Sequence, residues 1–275
     1  MYIYLNLLFV LTRHYILPTC LLTLSRFQSV PDLPWMKYSL FDGPATVQLA
    51  TPDSCLVVHL VRGSARHSHA CTPILKAIMC DEQFIKAECA LDENVLELHD
   101  LWNGLEAKSR LDLGGIGGIK NNKRRGLKAL SQHILGVHLP KPKAQALSDW
   151  SHVPLTEHQI SYSARDAWAG AAIANKLAEY DPKTFGHLHL VELLKKRETP
   201  VSQLANRMER YKRAKQELGT LLKPYPKPRY HSQKLPDRVQ SRVQQLRDVI
   251  KNSKPYERPL VFKVDHLGID LDSNM

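Results

Sequence analysis

Little in this chain would staple it from outside or carry it through a membrane. Its five cysteines, Cys20, Cys55, Cys71, Cys80 and Cys89, form no CxxC pair or other metal-ligand spacing. A disulfide framework and a zinc knuckle are therefore unwritten, and an odd number without a framework suits a reducing compartment. Long apolar runs are scarce as well. Residues 2–11 and 15–24 are apolar, but Arg13 and His14 part them and Pro18 interrupts the second. Neither run reaches the ~20 residues of a membrane span, so residues 2–24 form at most a weak signal anchor. An intracellular setting, nucleus or cytoplasm, is the expectation, with no membrane partner favoured. The glycines of Gly114-Gly115-Ile116-Gly117-Gly118 satisfy neither GxxxxGK[ST] nor GxGxxG, which excludes the common nucleotide-phosphate loops and leaves a mobile loop as the expectation.

Acid is what the C-terminal third lacks. From Lys195 to Lys263 there are 19 Lys and Arg against 6 Asp and Glu, while the remainder carries a net charge of −2. A basic arm on a near-neutral domain points to a polyanion, nucleic acid before an acidic membrane; a solvated helix face reads about as well. Within the arm, residues 223–230 read Lys-Pro-Tyr-Pro-Lys-Pro-Arg-Tyr, a stiff extended linker. Tyr225 and Tyr230 suit stacking on unpaired bases, with a plain spacer as the other reading. Lys123, Arg124 and Arg125, which continue the glycine run, are candidates for phosphate contacts.

What is present supports one substantial core with a smaller appendage: 275 residues, 43% of them hydrophobic. Residues 45–50 alternate as a strand, 51–54 form a turn and 55–61 a second strand, so a β-hairpin is expected. Residues 73–79 fit a helix, 84–91 a strand, 94–105 a helix and 110–113 a short strand. A hairpin followed by alternating units implies an α/β fold with a mixed sheet covered by helices. Beyond residue 180, helices over 188–222 broken at Pro200 and a basic amphipathic helix over 238–251 are expected. The expected organisation is an uncertain segment over 1–40, a main domain over 41–182 and a basic helical extension over 183–275.

The most informative stretch is 154–180. Leu155, Ile160, Ala164, Ala167 and Ala171 recur at helical spacing, with Thr156 as N-cap and Pro182 beyond the end. Residues four apart share a helix face, which sets Tyr162 beside Asp166. Upstream, Gly126-Leu127-Lys128-Ala129-Leu130 opens an earlier helix and Leu135-Gly136 closes it. Then come Ser148-Asp149-Trp150, Pro154-Leu155-Thr156, Gln159 and Tyr162-Ser163-Ala164-Arg165-Asp166-Ala167. In order and spacing these residues closely resemble the third motif of the tyrosine-type DEDD 3′-5′ exonucleases. That branch includes ribonuclease D and the Werner-syndrome-helicase exonuclease domain, and the resemblance covers roughly residues 45–180.

The resemblance implies a ribonuclease-H-like exonuclease fold and hydrolysis of phosphodiesters at the single-stranded 3′ end of DNA or RNA by two Mg²⁺ or Mn²⁺ ions. The family holds these ions with an Asp and a Glu on its first strand, an Asp in its second motif and an Asp in its third; its tyrosine orients the attacking water. Asp166 matches the third-motif metal ligand and Tyr162 the catalytic tyrosine. The second motif, K-A-G-V-G-I leading to an Asp, falls on Lys86-Ala87-Glu88-Cys89-Ala90-Leu91-Asp92-Glu93-Asn94. Asn94 thus holds the metal-ligand position with a neutral carbonyl oxygen. Asp92 and Glu93 lie on other faces, and Glu97 is one turn on. For the first motif, F-D-x-E, Phe41-Asp42-Gly43-Pro44 offers Pro in place of Glu, and only five residues separate Asp42 from Gln48. That is too short to turn between antiparallel strands, so Asp42 reads as a loop residue. Two readings stand: an exonuclease-like hydrolase, and a noncatalytic nucleic-acid-binding module that keeps the fold. A first strand replaced by unrelated N-terminal sequence is the other account of the missing acids.

Overall fold

A computed structural model of the chain describes residues 19–26, 44–60, 72–117, 125–140, 142–150, 153–225, 235–253, 260–269 and 271. They divide into two compact units, residues 1–198 with 258–275, and residues 199–257.

The first unit is built on a five-stranded sheet. Its strands are β1 (Thr19–Arg26), β2 (Pro44–Ala50), β3 (Cys55–His59), β4 (Ile85–Glu88) and β5 (Arg110–Asp112), in the order β3-β2-β1-β4-β5. β2 runs antiparallel to both β1 and β3, and β4 runs parallel to β1 and β5. The mixed sheet covered by helices is the ribonuclease-H-like arrangement expected from the sequence. The hairpin is where expected, and every residue of β2 is buried. Burial on both faces is why its polar Thr46 and Gln48 hydrogen-bond one another (2.6 Å) instead of facing water.

The central strand departs from the reading. Residues 19–24, taken as half of a weak signal anchor, belong to β1, which pairs with β2 from Leu21↔Ala50 to Arg26↔Pro44 and with β4 at Thr19↔Ile85 and Cys20↔Lys86. An apolar run bordered by β-formers serves a two-sided central strand as well as a membrane segment, and only pairing distinguishes the two. Residues 2–18 lie outside the described residues. Among the described residues no helix is long and apolar enough to cross a membrane.

Between the strands, α1 (Thr72–Cys80) and α2 (Leu91–Leu101) alternate as expected, but β4 ends at Glu88 and α2 begins three residues before Asn94. The cause is Ala90, whose left-handed φ of 62° turns the chain between them. Beyond β5, a 3₁₀ turn over Leu113–Gly115 buries Gly114 and Gly115, so the glycine run starts in the core and not as a mobile loop. Residues 118–124 lie outside the described residues. Then come α3 (Leu127–Leu130), which continues as a π turn over Ser131–Leu135, and α4 (Lys143–Ala146).

Helix α5 (Glu157–Tyr180) carries the expected cap. Thr156 accepts the Gln159 backbone N–H while the Gln159 side chain accepts the Thr156 N–H (2.9 Å), a complete capping box. The helix packs across β1, β2 and β3 and touches β4. Small residues Ala167, Ala169 and Ala171 let it approach the sheet closely. Ile173 and Leu177 are wholly buried, a contribution of roughly 1.5–3 kcal/mol each.

The expected extension from residue 183 is divided. α6 (Pro182–Phe185) and α7 (His187–Arg197) put Phe185, Leu190, Val191 and Leu194 into the core cluster of the first unit. After the second unit the chain returns: Phe262 bridges Ile116 in parallel, its ring lies 5.1 Å from that of Phe185, and Val264 and Leu271 join the same core. The second unit contains α8 (Val201–Leu222) and α9 (Asp237–Asn252), which pack against each other; Pro200 separates α7 from α8 as the sequence suggested.

Candidate functional site

Tyr162 and Asp166 come together on α5 as the helical spacing requires. Asp166 is buried and Tyr162 half-buried, with the carboxylate close enough for its charge to act on the phenol. Burial, followed by the negative charge of Asp166, pushes the phenol up to about 12. The hydroxyl is thus a proton donor throughout the neutral range. Trp150, itself buried, packs against the ring, centroids 6.0 Å apart and tilted by 56°. Trp150 is fixed in turn: His59 Nε2 binds its carbonyl (3.0 Å), and Gln159 donates to Ser148 Oγ (3.1 Å) and to the Asp149 carbonyl (2.8 Å). The spaced residues Ser148, Asp149, Trp150, Thr156 and Gln159 therefore form the support of Tyr162. One glutamine side chain caps the helix and anchors the loop that braces its tyrosine.

The sheet side is organised differently. In open α/β sheets, ligands meet the carboxyl ends of parallel strands; here those ends carry Glu88 on β4 and Asp112 on β5. Asn94 lies in the first turns of α2, where its amide donates to Glu88 Oε2 at 2.8 Å. Glu88 is 7% exposed and is a residue the sequence reading passed over. Its signal was there, because the K-A-G-V-G-I pattern has glycine at the positions of Glu88 and Ala90. Ala90 keeps the left-handed backbone that glycine adopts without strain, and its N–H is held by Asp112 Oδ1 (3.1 Å). Asp112 also caps the glycine turn through the Gly114 N–H (2.8 Å), so this carboxylate is occupied by backbone donors.

The neighbouring acids serve a buried arginine. Arg110 Nε donates to Asp92 Oδ1 (2.9 Å), its Nη1 lies 3.3 Å from Glu198 Oε1, and the Ser109 and Arg110 backbone N–H groups donate to the same Glu198 carboxylate (3.0 and 2.7 Å). Burial raises the Glu198 carboxyl above its ordinary value, while Arg110 pulls the other way. Asp92 thus faces away from Asn94, as expected, for a reason of its own. Lys86 is fully buried beside this group and donates to the carbonyls of Asp81 and Phe84 (2.6 Å each).

Of the candidate phosphate contacts, Arg125 is half-buried and donates to the Leu271 carbonyl (2.6 Å), tying down the returning C-terminal segment. Gly117, at φ +72°, lies against Leu271 where a Cβ would collide. Tyr225 follows α8 in a half-buried bend. Lys123, Arg124, Tyr230 and Asp42 lie outside the described residues.

The pair of divalent ions implied by the resemblance demands four carboxylates at one place, since each hard cation needs several oxygen ligands. The described residues do not fit that demand. β1 takes the place beside β2 and β4 with Thr-Cys-Leu-Leu-Thr-Leu-Ser-Arg and so brings no acid. Asn94 is turned to Glu88 as a donor. Among the described residues no three His, Cys, Asp or Glu side chains are grouped to hold a metal ion.

Comparison with known proteins gives the same family as the motif. A family model described as 3′-5′ exonuclease matches residues 36–180. A 3′-5′ exonuclease of Arabidopsis thaliana is 29% identical over 129 residues, which are 46% of this chain and 42% of that protein. The bifunctional 3′-5′ exonuclease/ATP-dependent helicase WRN of Mus musculus is 49% identical over 51 residues, 18% of this chain and 4% of that protein. The chain thus spans less than half the length of these curated relatives. Brucella melitensis NrnC bound to pGG, a solved structure, is 15% identical and covers 81% of this chain and 94% of its own, with a TM-score of 0.48.

Proposed function

Because the chain belongs to the 3′-5′ exonuclease family, we propose that it engages 3′ ends of single-stranded nucleic acid through the surface around Tyr162 and Asp166. In the chain as it stands, binding outruns hydrolysis. The observation that carries this reading is the central strand: β1 occupies the heart of the sheet without a single acid. A site short of carboxylates binds Mg²⁺ or Mn²⁺ weakly, and without cations Asp166 and Glu88 repel a phosphate. Affinity then has to come from elsewhere. Residues 199–257 hold 14 Lys and Arg against 5 Asp and Glu, the polyanion-binding charge that the exonuclease-type domain lacks.

A second reading, hydrolysis by the chain as it stands, is favoured by the retained Tyr162–Asp166 pair. One experiment separates the two. An oligothymidylate labelled at its 5′ end is incubated with the full chain in EDTA and in Mn²⁺, and both binding and shortening are followed. Binding in EDTA, steeply weakened by salt, with little shortening in Mn²⁺, is expected. Replacing the β1 residues by a strand containing Asp-x-Glu, together with Asn94→Asp, then raises Mn²⁺-dependent shortening by at least about a hundredfold, because ligands of one site act together. Shortening by the unaltered chain that disappears in Asp166→Ala establishes the second reading. Absence of binding at low salt rejects both.

A further inference from the structure

The second unit holds, beside its basic charge, an apolar trough that polyanion binding does not account for. Where α8 packs against α9, a groove of about 640 Å³ opens along the two helices. Leu218, Leu222 and Ile250 form its floor, and Gly219 leaves it open, with nothing within 4 Å of where a Cβ would stand. Lys215, Arg247 and Lys251 line the rim, all three exposed. Among the described residues no carboxylate lines the groove. Among the described residues Arg247 and Lys251 meet no acid, whereas Arg242, earlier on the same helix, is paired with Glu217 at 2.6 Å across the two helices.

We propose that this groove is a docking site for an acidic amphipathic helix of a partner protein. Aliphatic floors flanked by charge are how helices are held in grooves, with apolar side chains at i, i+3, i+4 and i+7 in the trough and charged flanks on the rim. Three cations without lining carboxylates select glutamate and aspartate on those flanks. A nucleobase fits less well, since its affinity for a protein surface comes from stacking on rings. Among the described residues no aromatic side chain lines the groove, and the ring of nearby Tyr211 is covered by the Lys215 ammonium, 5.0 Å from its centroid. The inference is independent of the reading of the Tyr162–Asp166 surface.

The test uses the full chain and a fluorescein-labelled helical peptide of about 16 residues, with leucines at i, i+3, i+4 and i+7 and glutamates beside them. Binding with a Kd of about micromolar order, weakened by salt, is expected. Gly219→Leu fills the trough and, as a glycine replaced within a helix, keeps or raises the melting temperature; it weakens the peptide at least about tenfold. Arg247→Glu combined with Lys251→Glu, both at exposed positions, weakens it by a similar factor and flattens the salt dependence. Equal binding of a peptide with lysines in place of the glutamates overturns the proposal, as does binding unchanged by both variants. If Gly219→Leu weakens an oligothymidylate and not the peptide, the groove belongs to nucleic acid. If anionic vesicles compete away the peptide in the wild type but not in Gly219→Leu, it belongs to lipid. Either outcome also overturns it.

Discussion

The two sides of the candidate site have been treated differently. On the helix side, every residue that positions Tyr162 is present and engaged: Thr156 and Gln159 close the cap, Gln159 holds the 148–150 turn, and Trp150 braces the ring. On the sheet side, the central strand is acid-free, Asn94 donates to Glu88, and Asp92 and Glu198 are committed to Arg110. The helix side persists because its polar groups also hold the fold. Gln159 is 4% exposed and Ser163 wholly buried, so losing their hydrogen bonds would cost stability whether or not chemistry follows. Metal-binding acids have no such second employment. Clustered carboxylates repel one another in the absence of cations, and replacing them relieves the fold.

The contrast breaks first at Arg110. If the sheet-side acids are structural, Arg110→Ala leaves two partly buried carboxylates without their partner and lowers stability by about 3 kcal/mol, the low end for a broken buried pair. Urea unfolding measures this. A loss within a few tenths of a kcal/mol would mean that Asp92 and Glu198 are not held by the arginine and are free for a ligand.

Asn94→Asp sharpens the same point with a smaller effect. The change removes a donor from Glu88 and sets a second carboxylate in its place, at a cost of about 1–3 kcal/mol at neutral pH. Thermal melts with and without Mn²⁺ should show stabilisation of the variant by the ion and little change in the parent. Equal stabilisation of both would show that the sheet side already holds a cation.

On the helix side the smallest effect is spectroscopic. Tyr162 ionises near 12, against about 10 for a free tyrosine. Protonation is favoured by the fold, so this contribution is intact below pH ~10 and lost as pH rises through about 12. Phenolate absorbance should lose its last titrating step in Tyr162→Phe, and Asp166→Asn should move that step toward lower pH. A Tyr162 step at the ordinary value would show a pair open to solvent.

What could be read from the sequence was local. The Thr156 N-cap, the face shared by Tyr162 and Asp166 and the break at Pro200 each depend on residues a few positions apart, and helical geometry fixes their relation. β1 was illegible for the opposite reason. Thr19–Arg26 has its role only through β2 and β4, and the pairing Thr19↔Ile85 spans more than sixty positions. Arg110 meets Glu198 across 88 residues, and nothing near either marks the other. Glu88 lies between: its departure from a glycine pattern was visible, and its partner Asn94 was not.

The return of residues 258–275 to the first unit has a consequence for how the molecule responds to being cut. Phe262, Val264 and Leu271 are interior residues of a body whose other members end at Glu198. They are held by the Gly117 and Phe262 backbone bonds (2.7 and 3.1 Å) and by Arg125. The covalent path between the two parts runs entirely through residues 199–257. A protease that severs the chain there does not release a tail; it converts one polypeptide into two fragments that complement each other through a shared core. A stop codon at the same place deletes part of that core, so nicking and truncation, alike on a denaturing gel, are opposite events for the folded protein.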